Sequence, residues 1–144
     1  MAYNDYLEKV DLTPLKYCTK LEELRLECNA LKEIDLSPLK NCRKLRELNL
    51  SMNELGNIDL TPLKHCTKLK KLYLNSNALT NVDLTPLKYC TKLEVLKLRY
   101  NNLQNIILAP WAILRAFSKM SGGRGCSLAL KTLVIPKELP PWYT

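Results

Sequence analysis

Hydrophobic residues fall along this chain in a pattern that returns every 24 residues. Leu24-Arg25-Leu26-Glu27-Cys28-Asn29 is written again as Leu48-Asn49-Leu50-Ser51-Met52-Asn53, as Leu72-Tyr73-Leu74-Asn75-Ser76-Asn77 and as Leu96-Lys97-Leu98-Arg99-Tyr100-Asn101. Leu-x-Leu is period-two alternation, so the two leucines face one way and the residue between them faces the other. This predicts one short strand per repeat, paired in parallel with its copies. A second block, Asp-Leu-Thr/Ser-Pro-Leu-Lys, recurs at Asp11, Asp35, Asp59 and Asp83. Its proline, with fixed φ and no N–H, suits the opening of a short 3-10 or α turn. Thr13, Ser37, Thr61 and Thr85 stand just before it as N-cap candidates. Leu31, Ile34, Leu36 and Leu39 predict the far wall of the core. Asp11 to Glu22 is identical to Asp83 to Glu94, which marks a duplicated unit. One such unit cannot bury its apolar face alone, so the coils must stack as a solenoid.

Three polar or thiol columns run through the unit. Asn29, Asn53, Asn77 and Asn101 follow the strands, where the chain must turn. An inward amide there can donate to and accept from loop backbone groups that would otherwise be buried unpaired, so the column reads as a structural ladder. Cys18, Cys42, Cys66 and Cys90 each precede a repeat's first leucine by three residues. With one His in the chain and no Cys-x-x-Cys, they read as small buried hydrophobes, a structural ladder of free thiols and not a metal site. Equivalent thiols about 5 Å apart point in parallel, which is poor disulfide geometry. Asp11, Asp35, Asp59 and Asp83 would repel at that spacing, so each is expected to accept hydrogen bonds from nearby backbone or Lys. A calcium column is disfavoured because no neighbouring pairs supply further oxygens.

The unit Leu-x-x-Leu-x-Leu-x-x-Asn-x-Leu, carried by Leu21, Leu24, Leu26, Asn29 and Leu31 and their copies, resembles the leucine-rich repeat family over most of the chain. The resemblance implies an α/β right-handed solenoid, with a short parallel sheet on the concave face and short 3-10 or α turns on the convex face. The chain then reads as a single domain over 1–144. Residues 1–20 form a partial N-terminal repeat, with Leu7 aligned to Leu31 and Val10 to Ile34. Residues 21–110 hold the core repeats, and 111–144 an aberrant last repeat and a helical C-terminal cap. In that last part, Trp111 to Met120 predicts a helix, Ser121 to Gly125 a loop, and Leu130 to Ile135 a final strand. Trp111 or Trp142 is expected to cover the last coil. No dedicated cap precedes residues 2–4, so Tyr3 and Tyr6, or end-to-end packing of two chains, would cover the first.

Composition narrows the function. The formal charge of +8 invites anionic partners but is silent about fold. No 18-residue apolar run predicts a transmembrane helix, and the opening residues lack the signature of a signal peptide. With the thiol column, this leads to the expectation of a cytoplasmic, intracellular protein. No cofactor is implied. His65 shares its repeat position with Tyr17, Asn41 and Tyr89, which argues against catalysis. No carboxylate pair has neighbours that would split its pKa values, and Ser121 to Cys126 lacks the ending of a phosphate loop. The expected function is non-enzymatic.

Binding is the expectation that remains. The outward strand positions form the columns Glu23-Glu47-Lys71-Val95, Arg25-Asn49-Tyr73-Lys97 and Glu27-Ser51-Asn75-Arg99, with Cys28-Met52-Ser76-Tyr100 at the rim. They run from acidic to basic, with Tyr73 central, and tyrosine and arginine are enriched at interface hot spots. This predicts a protein-binding concave face. The alternative is a polyanion, nucleic acid or an anionic membrane, held by Lys16, Lys40, Lys64 and Lys88 and by Lys20, Lys44, Lys68 and Lys92. Nucleic acid is disfavoured because only Tyr17 and Tyr89 lie nearby for base stacking. A third reading is a structural or engineered solenoid with no partner of its own.

Overall fold

The computed structural model describes residues 6–107. The predicted C-terminal helix, loop, strand and cap lie outside the described residues, as do residues 2–4. In chain order the elements are a first 3-10 turn η1 (Thr13–Tyr17), β1 (Glu23–Arg25), η2 (Ser37–Asn41), β2 (Glu47–Asn49), η3 (Thr61–His65), β3 (Lys71–Tyr73), β4 (Asn81–Asp83), η4 (Thr85–Tyr89), β5 (Val95–Lys97) and β6 (Asn105–Ile107). Strands β1, β2, β3 and β5 form one parallel sheet in that order, with Leu24, Leu48, Leu72 and Leu96 in register. The register has a simple cause. A slip of one residue would turn each central leucine out to solvent and an outward residue into the core.

On the other side of the sheet lies a core built almost wholly of leucine. Leu39, Leu45, Leu48, Leu50, Leu55, Leu63, Leu69, Leu72 and Leu74 are fully buried, with Cys42 and Cys66 among them. Successive 3-10 turns pack directly on one another. A second ladder was not expected from the pattern: β4 and β6 pair in parallel, with Val82 opposite Ile106. Both of those residues are buried and β-branched, the type that packs well on a pleated surface.

The 3-10 turns begin differently from the expectation. Thr13, Ser37, Thr61 and Thr85 are the first residues inside the turns; the caps are Leu12, Leu36, Leu60 and Leu84, with no side-chain cap bond. The anchoring group is the aspartate one residue earlier. Its Oδ1 accepts the N–H of Thr13 at 2.9 Å, Ser37 at 2.9 Å, Thr61 at 2.9 Å and Thr85 at 2.8 Å. A side chain accepting from the backbone two residues on is a turn in its own right, and it leaves no need for a Ser or Thr cap. The Ser37 hydroxyl also donates to Asp35. Hydrogen bonds from the hydroxyl, then the N–H, of the residue two positions on hold Asp11, Asp35 and Asp59 below the ordinary carboxylate range. Repulsion from the previous aspartate opposes this at Asp35 and Asp59 without reversing it.

Cys28, Met52, Ser76 and Tyr100 adopt left-handed backbone, with φ between 55° and 58°. Each costs about 1–2 kcal/mol relative to right-handed backbone. Each kink lies three residues past the end of its strand, immediately before the asparagine whose amide bonds within the stack.

The first coil is more open than the rest. Leu15, Leu21, Leu24 and Leu26 are half-buried and Leu7 is exposed, whereas the copies of the first four in the next two coils are fully buried. No earlier coil lies against them among the described residues. Even so, Leu7 keeps the repeat register. Its N–H donates to Asn29 Oδ1 and its carbonyl accepts from Ala30, as Leu31 does with Asn53 and Glu54.

Candidate recognition face

Two inward-facing columns position the strands. Asn53 shows how the first works. Its Oδ1 accepts the N–H of Leu31 at 3.1 Å, while Nδ2 donates to Leu26 at 2.9 Å, Leu50 at 3.1 Å and Ser51 at 3.3 Å. One amide thereby satisfies groups in two neighbouring coils. Asn77 and Asn101 repeat the arrangement. Asn29 keeps bonds to Leu7, Leu26 and Glu27. The amide suits the task because it donates and accepts in one plane, which neither Asp nor Leu can do.

The second column is the cysteines. Cys42, Cys66 and Cys90 are buried, and each thiol donates to the carbonyl 27 residues earlier, that of Leu15, Leu39 and Leu63 respectively. Cys18 departs from the expectation of burial. It is exposed, because no preceding coil covers it among the described residues, and its thiol reaches only Pro14 of its own turn. Burial first, and the neighbouring thiol second, pushes Cys66 and Cys90 up to about 12 and raises Cys42. The thiolate is the reactive form. Iodoacetamide should therefore modify the exposed Cys18 and Cys28 in the folded protein and leave the buried Cys42, Cys66 and Cys90 unmodified until denaturant is added. Peptide mapping reads this directly, and modification of Cys66 in the native state would contradict the buried column.

Above these columns, the strand residues between the leucines form one face. Its acidic and basic groups are already engaged with one another in its first half. Glu47 is only 7 % exposed; it accepts from Arg25 at 3.0 Å and lies 3.6 Å from Lys71 Nζ. Arg25 also reaches Glu23 at 3.4 Å, and Arg46 reaches Glu22 at 3.5 Å. Glu47, expected as a partner-contact residue of this face, is thus mostly covered and held between two cations. The reason is register: its column stacks Glu23, Glu47 and Lys71, and Arg25 sits diagonally beside it. Ser51 is likewise buried, and Asn49 Oδ1 accepts both its N–H at 3.1 Å and its hydroxyl at 2.7 Å.

The other half of the face is more available. Tyr73 and Asn75 are half-buried; Lys97, Arg99 and Tyr100 are exposed. Lys97 Nζ lies 5.2 Å from the Tyr73 ring centre, and the Arg99 guanidinium 5.2 Å from that of Tyr100. These pairs favour one arrangement of ring and cation by about 0.5–1 kcal/mol. Strict periodicity could have suggested the Tyr73–Lys97 pair, since the two residues are 24 apart. The Arg99–Tyr100 pair depends on the left-handed kink at Tyr100. Glu23 and Glu27 mark the opposite, acidic end. Cys28 stands at the rim with its thiol 3.4 Å from Met52 Sδ.

Among the described residues no group of three His, Cys, Asp or Glu could hold a metal ion, and no helix is long and apolar enough to cross a membrane.

A leucine rich repeat family model matches residues 19–79 and 67–109. Sequence comparison with curated proteins finds no match. Among solved structures, internalin C2 of Listeria monocytogenes is similar at 28 % identity and a TM-score of 0.57, over 76 % of this chain and 44 % of that one. The internalin inlF of the same organism is similar at 26 % and 0.55, over 78 % and 37 %. A leucine-rich repeat protein of Leptospira interrogans shares the fold at 20 % identity and a TM-score of 0.62, over 77 % and 26 %. The chain thus spans less than half the length of each of these structures.

Proposed function

This chain belongs to the leucine-rich repeat family, and from that premise we propose that it binds a protein partner through the concave face, centred on Tyr73, without catalysing a reaction. The family is commonly a protein–protein interaction module and generally non-enzymatic. The observation that carries the reading is the contrast within each repeat: the core leucines, Asn and Cys columns recur, while the outward strand positions change from Glu23 to Val95 and from Arg25 through Tyr73 to Lys97. The end near β3 and β5 supports it further. Tyr73 and Tyr100 are held against Lys97 and Arg99, so a partner meets rings and cations that lose little rotamer freedom on binding. Glu47, Ser51 and Asn49 shape that face from within. The free thiols at Cys18, Cys28, Cys42, Cys66 and Cys90 favour a reducing, intracellular compartment.

The test is an affinity capture at high salt with three proteins: wild type, Tyr73→Glu, and Lys40/Lys64/Lys68→Glu. The expected result is a protein retained in high salt by the wild type and the lysine variant and lost with Tyr73→Glu. Tyr73 is half-buried on an outward position, so the variant keeps the core intact. Capture that is indifferent to Tyr73 and sensitive to the lysines would overturn the reading.

A further inference from the structure

The second charged surface lies away from the sheet, on the connections that run from the 3-10 turns to the strands. Lys16, Lys40, Lys64 and Lys88 sit in η1 to η4. Lys20, Lys44, Lys68 and Lys92 follow four residues later, joined by Arg43. All nine are exposed except Lys88, which is half-buried. The stretches 13–21, 37–45, 61–69 and 85–93 that carry them contain no Asp or Glu. None of the nine forms an ion pair among the described residues, where the ion pairs involve Arg25, Arg46 and Lys71 instead. The nearest acidic column, Asp11 to Asp83, is occupied by the N–H groups that start the turns.

The lysines of this stripe match the net charge of the whole molecule. The eight lysines equal the chain's formal +8, so the rest of the sequence is neutral in sum. Adjacent turns stack directly, with backbone positions within 8 Å of one another, so equivalent lysines recur from turn to turn at a comparable spacing. That is inside the Debye length of about 10 Å at 0.1 M salt, so the charges repel and gain from a dense counter-charge.

We propose that this stripe docks the protein onto an anionic lipid bilayer as a peripheral, salt-sensitive contact. Charge complementarity selects an anionic partner, and the residue types select a surface. Eight of the nine cations are lysines, flexible point charges that carry no bidentate phosphate geometry. Clusters of four to eight such cations are the pattern that anionic headgroups attract. The columns repeat in register from turn to turn. A concavity among the described residues, lined by Lys9, Val10, Glu33, Ile34 and Asp35, takes in none of the nine cations. Tyr17, 76 % exposed, and Tyr89, 48 % exposed, flank the stripe with Lys16 and Lys88 over their rings at 4.9 and 5.0 Å. Such rings sit well at headgroup level. A single-stranded nucleic acid would need rings along the whole column for base stacking, and Asn41 and His65 occupy its middle.

The test is co-sedimentation with vesicles of phosphatidylcholine alone or with roughly 30 % phosphatidylserine, at about 0.05 M and 0.5 M salt. The expected result is binding only to the phosphatidylserine vesicles at low salt, loss at high salt, and weakening by more than about 100-fold in Lys40/Lys64/Lys68→Glu. Native-state protection of Cys66 from iodoacetamide confirms that this variant is folded. Tyr73→Glu should bind the vesicles as the wild type does, which separates this surface from the concave face. Equal binding to both vesicle types, no binding to either, an unaffected folded lysine variant, or tighter binding to a DNA duplex than to the vesicles would each overturn the proposal.

Discussion

Asn53→Ala is expected to lower the free energy of unfolding by about 1–3 kcal/mol, since it strands a buried backbone N–H and removes three further bonds. The stranded group is the Leu31 N–H in the coil before; the Leu26, Leu50 and Ser51 carbonyls each lose one donor and keep another, Asn29 Nδ2, Asn77 Nδ2 and the Cys28 N–H respectively. Asn53 is also 8 % exposed, so water cannot replace the amide without the coil opening. Asn29→Ala supplies the internal comparison. Asn29 is half-buried and makes three such bonds, to Leu7, Leu26 and Glu27, so its loss should cost visibly less. Urea unfolding of the two variants decides the matter through the midpoint at constant m. An Asn29→Ala effect equal to or larger than that of Asn53→Ala would show that the amides do not tie coil to coil.

Leu72→Ala is expected to cost about 3–4 kcal/mol, within the range seen when a buried leucine is truncated and its cavity cannot collapse. Leu72 is fully buried at the centre of β3, between Leu48 and Leu96 in the sheet register. Its neighbours are held on both sides by parallel strands, which limits relaxation. Solenoid repeats are stabilised mainly by their neighbours, so a gap in the middle also weakens the coupling between the two halves. A lower m-value should accompany the lower midpoint. Leu24→Ala, at a half-buried copy of the same position, should cost less. Equal losses at Leu24 and Leu72 would mean that packing between coils does not set the stability.

Much of this molecule could be read from its periodicity. Leu-x-Leu fixes which strand residues turn inward, and the 24-residue interval fixes which residues meet across the sheet, so Glu23, Glu47, Lys71 and Val95 could be aligned without coordinates. Proline announced the 3-10 turns. The anchoring of those turns could not be assigned with equal ease, because Thr13 and Asp11 are both plausible partners for a turn's first N–H and only backbone geometry chooses between them. The β4–β6 ladder was hidden for a related reason. Val82 lies between Asn81 and Asp83, and Ile106 between Asn105 and Ile107, in three-residue segments too short for alternation to stand out.

The candidate face shows the same division. Its column membership follows from the period, but the state of each side chain does not. Glu47 looks like Glu23 in the sequence, yet it lies buried between Arg25 and Lys71, while Glu23 remains exposed. Cys18 stands in a stretch identical to that of Cys90, and one is exposed while the other is buried and its thiol pushed up to about 12. Identical local sequence sets identical local backbone, because propensity, turn chemistry and alternation act over a few residues. Burial, ion pairing and thiol reactivity depend on what the neighbouring coil places 24 residues away and on whether a coil is there to cover the site. The repeat pattern therefore specified the coil and its register, and the stack decided which copies of the same residue became core, anchor or surface.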